Sequence, residues 1–299
     1  MSVAVENEHQ NPVNEGAGKK AGLPFGAPRE HLGNRFVYAL ISSRARGLSV
    51  GVNLTPDRRC NFDCVYCEVD RKAPIADRHL DVAAMAEELE QTLTHIHQGQ
   101  WLGPGGWRQT PTELLQLRHV ALSGDGEPTL SSKFAEVVEA VIHVRARGQF
   151  PFFKLVLITN ASGLDLPAVQ AGLKLFIQDD EIWAKLDGGS PAYLKRVNRP
   201  SVDLDKVFGN ILLVGRQRPI VIQSLFPLLD GQEPADGEID AYAARLQELK
   251  TAGAQISLVQ VYSATRPTHN GACGHLPLKS LSKIAHKVRT ATGLAVEVF

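Results

Sequence analysis

Cysteine is scarce in this chain, with four in 299 residues. A chain of this length can bury a sizeable core without disulfides, so the scarcity excludes a disulfide-built scaffold. Net charge is absent as well: Lys+Arg and Asp+Glu both count 32, which leaves no global basic field to draw in nucleic acid or a membrane surface. No run approaches the roughly 18 apolar residues that a membrane span needs. The opening segment MSVAVENEHQNPVNEGAGKKAGLPFG is polar and carries no export signal. These absences place residues 1–33 as a disordered polar tail and 34–299 as one domain, in a reducing cytoplasm.

What is present is alternation. Short runs rich in Val, Ile and Leu, at 48–54, 119–124, 154–159, 181–187, 219–226 and 255–262, read as strands, and a last run at 294–299 closes the chain. Helical patterns fill the intervals at 79–98, 131–147, 166–176, 202–217, 238–253 and 279–293, with Asp203 and Ser131 placed as N-caps. Residues 101–117 form a Gly- and Pro-bearing insertion before the second strand. Six strand–helix alternations mean an α/β domain with a mainly parallel sheet.

Right-handed crossovers put the strand C-terminal ends on one edge, and every unusual segment falls there. A cysteine cluster follows the first strand, GDGEPTL (124–130) the second, TNAS the third, DGGS the fourth and YSATRP the sixth. That edge is where parallel α/β architectures build sites.

The cluster is CNFDCVYC, with Cys60, Cys64 and Cys67 inside eight positions. Asn61 and Asp63 favour turns, and Tyr66 offers an aromatic face beside the last thiol. Three chemistries use such a loop. An iron–sulfur cluster held by three thiolates would keep one iron open to an exogenous ligand. A zinc ion could join Cys64 and Cys67 to Cys273, His275 or His269. A Cys-x-x-Cys redox pair is the third, although that motif usually opens a helix in a thioredoxin-like unit.

The C-x3-C-x2-C loop after a first strand, followed by ALSGDGEPTL (121–130) and LITNAS, resembles the radical S-adenosylmethionine superfamily. With SSRARGLSVGVNLTP, KLDGGS…RVNRP and VQVYSATRP added, the chain is similar from about residue 36 onward to a short bacterial group. That group is related to wyosine-forming tRNA enzymes and nitrogenase-cofactor biosynthesis proteins. The resemblance implies a partial (β/α)6 barrel, TIM-like, with helices outside. It implies a [4Fe–4S] cluster on Cys60, Cys64 and Cys67, whose open iron binds S-adenosylmethionine. It also implies reductive cleavage to a 5′-deoxyadenosyl radical, and an electron donor such as a flavodoxin or ferredoxin. The substrate stays open: a small molecule, an RNA base, or a peptide or protein. Only Cys273 remains for a second cluster, a departure from the wyosine-forming enzymes.

Further candidates sit on the same edge. Gly124, Asp125, Gly126 and Glu127 would let backbone approach S-adenosylmethionine, and Tyr66, Asn160 and Asp187 would line the same site. Lys185 and Asp187 are the candidates for chemistry, with an ion pair as the plain alternative for Lys185. Arg44, Arg46, Arg196, Arg199 and Arg266 could gather into an anion patch or lie solvated, and Gln223 and Tyr262 could point into a barrel mouth. Two competing classes remain: a zinc-stabilised RNA- or protein-binding module, and an iron–sulfur carrier that cleaves nothing.

Overall fold

The computed structural model describes residues 32–71, 75, 78–100, 110–265, 268 and 273–299. Its elements begin with a hairpin, β1 (Val37–Ser42) and β2 (Gly47–Asn53), followed by α1 (Val82–His97), β3 (Leu117–Ser123), α2 (Phe134–Ala146) and β4 (Lys154–Thr159). Then come α3 (Pro167–Leu173), β5 (Glu181–Lys185), α4 (Pro191–Val197), α5 (Leu204–Gln217), β6 (Ile220–Leu225) and β7 (Pro227–Leu229). The chain closes with α6 (Asp236–Thr251), β8 (Ile256–Tyr262), β9 (Cys273–His275), α7 (Leu278–Thr292) and β10 (Val296–Val298).

Eight strands form one curled sheet in the order β1-β2-β3-β4-β5-β6-β8-β10, while β7 and β9 make a separate antiparallel pair. Every neighbouring pair in the large sheet is parallel except β1–β2. Helices surround it, so the architecture is the α/β partial barrel that the alternation implied. Each parallel strand has a run of Val, Ile and Leu because its outer face packs under helices.

The helices obey the same logic. In α1, Met85, Leu89 and Leu93 recur every four residues and are buried, and the Asp81 side chain caps the first turn by accepting from Ala84 N. In α6 the buried positions are Ile239, Tyr242, Ala243, Leu246 and Leu249. Burying one such large apolar side chain stabilises the fold by about 1.5–3 kcal/mol.

Several expectations shift. Strand β1, VYALIS, was not anticipated; it pairs back onto β2 through the turn at 43–46. Helix α4 was also unforeseen, although Ser190 caps it and Pro191 opens it, as a helix start favours. Asp203 caps α5 through Asp205 N, as expected. Ser131 instead ends a short 3-10 turn, and α2 begins three residues later. Of the N-terminal tail only Leu32 and Gly33 lie within the described residues, and most of the 101–117 insertion lies outside them.

Side-chain alternation separates the two faces of the sheet. Leu155, Leu157, Ile182, Ala184, Ile220 and Ile222 join the main core beneath the helices. Val156, Trp183 and Val221 form a small second cluster, with Ile158 and Leu258 against it, inside the curl. His119 shares that inner face: its ring meets Trp183 edge-on at 5.2 Å, and its Nε2 lies 2.8 Å from Ser49 Oγ. Together Trp183 and His119 make a floor below the strand C-terminal ends.

Candidate functional site

The cysteine loop leaves β2 and is held by its own apolar residues. Phe62 and Val65 are buried in the core while Cys60, Cys64 and Cys67 stay partly exposed as free thiols. The loop backbone is tied to the end of α4, with Asp63 N donating to Asn198 O at 3.0 Å and Val65 N to Val197 O at 2.8 Å. Ser201 N adds a bond to Asn61 O at 2.9 Å. The pattern CNFDCVYC thus alternates anchor and thiol.

Donors approach two of the sulfurs. Cys60 Sγ lies 3.5 Å from Phe62 N and 3.9 Å from Asn160 Nδ2, and Cys64 Sγ lies 3.4 Å from Asn198 Nδ2. Burial pushes the Cys60 thiol up, and burial together with the Asp187 carboxylate pushes Cys64 up to about 12. Burial thus favours the protonated form of both thiols. No trio of His, Cys, Asp or Glu among the described residues is arranged around a single-ion site. The donor set instead fits a larger group: three free thiols on one loop, with N–H groups aimed at sulfur as iron–sulfur clusters receive them.

The glycine-rich loop after β3 touches the cysteine loop directly. Glu127 N donates to Arg59 O, next to Cys60, at 2.9 Å. A Cβ on Gly126 would overlap that same carbonyl, so only glycine permits the approach. Gly124 has φ +142°, and a side chain there would collide with Asn53. Asn53, at the end of β2, grips Asp125 twice: its Nδ2 donates to Asp125 Oδ2 at 2.9 Å, and its Oδ1 accepts from Asp125 N at 3.2 Å. Thr55 Oγ1, buried beside Gly126, has no hydrogen-bond partner among the described residues.

Glu127 takes a role that its place in the motif did not foretell. Its carboxylate is 3 % exposed and accepts from Thr129 N, Thr129 Oγ1, Thr159 Oγ1 and Asn160 N. Burial pushes its pKa up against those four bonds. Asn160 extends the seam, its Nδ2 donating to Asn61 Oδ1 at 2.9 Å and its Oδ1 accepting from Ser162 N. Three loops, after β2, β3 and β4, are welded together here.

A second knot forms behind the thiols. Asp187, 1 % exposed, accepts from Tyr66 OH, from Asn198 Nδ2 at 2.6 Å and from Leu225 N at 2.8 Å. Lys185 Nζ lies 3.6 Å from Asp187 Oδ1 and donates to Tyr262 OH at 3.0 Å. Burial acts to lower the Lys185 pKa, but Asp187 and Tyr262 outweigh it and raise it. Tyr66, buried beside Asp187, is pushed well above the usual tyrosine value. Lys185 and Asp187 are thus committed to each other, the plain alternative for that lysine. Asn198, inside RVNRP and with no motif to mark it, bridges Cys64, Tyr66 and Asp187.

The arginines do not gather. Arg46 pairs with Glu297 at 2.9 Å, Arg199 with Asp63 at 3.5 Å, Arg196 is exposed, and Arg266 lies outside the described residues. Gln223 Nε2 donates to Gln260 Oε1 inside the curl at 2.9 Å. Cys273 and His275 sit on β9, and His269 lies outside the described residues. A cavity of about 510 Å3 lies at the opposite end of the sheet, near Phe152, Lys154, Glu181 and Arg218. Lys154 and Glu181 pair across its wall, and none of its lining residues belongs to the cysteine site.

The curled sheet is a fold shared with solved enzyme structures. TYW1 with a lysine-pyruvate adduct superposes with a TM-score of 0.54 at 17% identity, over 82% of this chain and 74% of that one. Streptococcus suis SuiB bound to S-adenosylmethionine superposes at 0.55 and 14% identity, over 82% of this chain and 49% of SuiB. Among sequence relatives, a UPF0026 protein of Helicobacter pylori is 25% identical over 269 residues, 83% of this chain and 78% of its own length. The UPF0026 relatives fit the short group, related to the wyosine enzymes, that the motifs resembled. No protein-family model matches the chain. No helix among the described residues is long and apolar enough to cross a membrane.

Proposed function

We propose that this chain is a radical S-adenosylmethionine enzyme in which Cys60, Cys64 and Cys67 hold a [4Fe–4S] cluster. The observation that carries the reading is the contact between two loops: the three-thiol loop and the glycine-rich loop meet at Arg59 O, Gly126 and Glu127 N. A thiol-only carrier has no use for that second loop. A structural neighbour solved with S-adenosylmethionine adds support.

When bound and reduced by an external donor, the cluster would supply one electron to S-adenosylmethionine, splitting it into methionine and a 5′-deoxyadenosyl radical that would take a hydrogen atom from substrate. The chain's residues do the rest. Phe62 N–H, Asn160 and Asn198 face the sulfurs and tune their electron density. Gly124 and Gly126 keep side chains off the surface where the cosubstrate's methionine end would lie, beside Asp125. Tyr66, Asn160 and Asp187 form the wall behind it. A flavodoxin- or ferredoxin-type donor would deliver the electron to the exposed side of the cysteine loop, in a reducing cytoplasm.

Metal content tests this first. After anaerobic reconstitution, wild type and Cys273→Ala are expected to hold about four irons and as many sulfides per chain. Cys60→Ala, Cys64→Ala and Cys67→Ala are each expected to lose most of both. Colourless protein with one zinc that disappears in Cys273→Ala or His275→Ala would establish the zinc module instead.

A further inference from the structure

Arg44 reaches the inside of the curl, where its guanidinium meets Tyr262, while Arg46 pairs with Glu297 and Arg199 with Asp63. The turn carrying it, residues 43–46, meets the far edge of the sheet, where Arg46 bridges to Glu297 on β10 at 2.9 Å. Arg44 turns the other way. Its guanidinium lies over the Tyr262 ring at 4.2 Å, and its positive charge is felt by His119 in the floor.

The charges there do not balance. Three carboxylates beside the inner face already have a cation: Glu181 has Lys154, Asp187 has Lys185, and Glu297 has Arg46. Buried His119 is neutral, its pKa pulled down to about 3 by burial and by Lys154 and Arg44. That leaves Arg44 as the surplus positive charge. No described carboxylate pairs with it, and its Nε is buried without a hydrogen-bond partner among the described residues.

Tyr262 adds a second donor. Its hydroxyl oxygen accepts from Lys185 Nζ at 3.0 Å, so its own hydrogen is free, with no acceptor among the described residues. A buried donor without an acceptor is costly, and here two lie against each other with a net positive charge. A guanidinium fork held flat on an aromatic ring is pre-organised for a planar or tetrahedral oxyanion.

We propose that Arg44 and Tyr262 bind an oxyanion of the substrate, a carboxylate or a phosphate, inside the curl above the Trp183–His119 floor. This makes the substrate an anionic compound whose charged group enters the barrel, and it rests on the reading that radical chemistry takes place there. Arg44 sets which molecules are held, and the knot of Lys185, Asp187 and Tyr66 connects that anchor to Cys64.

Titration calorimetry on the full chain tests it, with malonate and inorganic phosphate as probes at constant ionic strength. Wild type is expected to bind at least one saturably, and the tighter of the two identifies the group. Arg44→Gln is expected to weaken that binding roughly 10- to 100-fold, and Tyr262→Phe roughly 2- to 10-fold. Arg46→Gln, two residues away and engaged with Glu297, is expected to bind as wild type does. Equal affinity in wild type and Arg44→Gln, or no saturable binding of either anion, overturns the proposal. Calorimetry reads the anion and not the cluster. Anion binding that depends on Arg44 in a chain that takes up no iron would sink the radical reading and leave this site standing.

Discussion

Glu127 Oε2 accepts a hydrogen bond from the backbone N–H of Asn160 at 2.7 Å, which ties the loop after β3 to the loop after β4. The carboxylate that the motif offers to a cosubstrate is occupied as a brace. Glu127→Ala would strand four buried donors and is expected to lower stability by about 2–4 kcal/mol, with Glu127→Gln intermediate. Urea denaturation measures it. Unchanged stability with weakened S-adenosylmethionine binding would show that Glu127 is a ligand rather than a brace.

Gly126 faces the Arg59 carbonyl so closely that a methyl group must move one of the two loops. Gly126→Ala is expected to cost about 1–3 kcal/mol, as overpacking does. It should also displace Cys60, the next residue after Arg59, so iron uptake on reconstitution should fall. Full iron uptake in a destabilised Gly126→Ala protein would separate the two loops functionally.

His119 links stability to pH. Its pKa is pulled from 6.5 to about 3, first by burial and then by Lys154 and Arg44. The unfolded chain takes up a proton below pH 6.5 while the folded chain does so only near 3, so acidification favours the unfolded state across that window. Between pH 8 and pH 5 this one group is expected to remove about 2 kcal/mol of stability. His119→Gln, compared by urea midpoints at the two pH values, should lose less than wild type by that amount. An equal loss in both proteins would assign the sensitivity elsewhere.

Arg145 and Asp180 form a buried pair, at 2.6 Å and with Asp180 fully enclosed. Asp180 also accepts from Leu155 N and Ile177 N, so it sets the start of β4 against the approach to β5. Asp180→Ala leaves a buried guanidinium unpaired and is expected to cost about 3–5 kcal/mol. Breaking the exposed Lys133–Glu136 pair should cost no more than about 1 kcal/mol. Thermal denaturation of both variants makes the comparison.

The legible parts of this chain were those in which local pattern and long-range contact agree. Strands β2 to β6 and β8 announced themselves because both faces are buried and their apolar runs are continuous. The cysteine and glycine loops were visible as departures from composition. Strand β1 was missed because VYALIS finds its place only through pairing with β2, and no local signal marks that. Strands β7 and β9 have three residues each, too few for any period. Asn198 and Asn53 were hidden for a different reason: an Asn at the end of a helix or strand looks like a turn former, and only the fold brings it against Cys64 or Asp125. Arg44 and Arg46 look alike in SSRARG, and only the closing of the curl sends one inward and the other to Glu297.

One measurement bears on the central claim more directly than any other. The reconstituted, reduced protein is mixed with S-adenosylmethionine under anaerobic conditions and assayed for 5′-deoxyadenosine, beside the triple Cys60/Cys64/Cys67→Ala variant. The expected result is 5′-deoxyadenosine from the wild type alone, with methionine in equal amount. An iron-loaded wild type whose electron spectrum is unmoved by S-adenosylmethionine and that yields no more 5′-deoxyadenosine than the triple variant would contradict it.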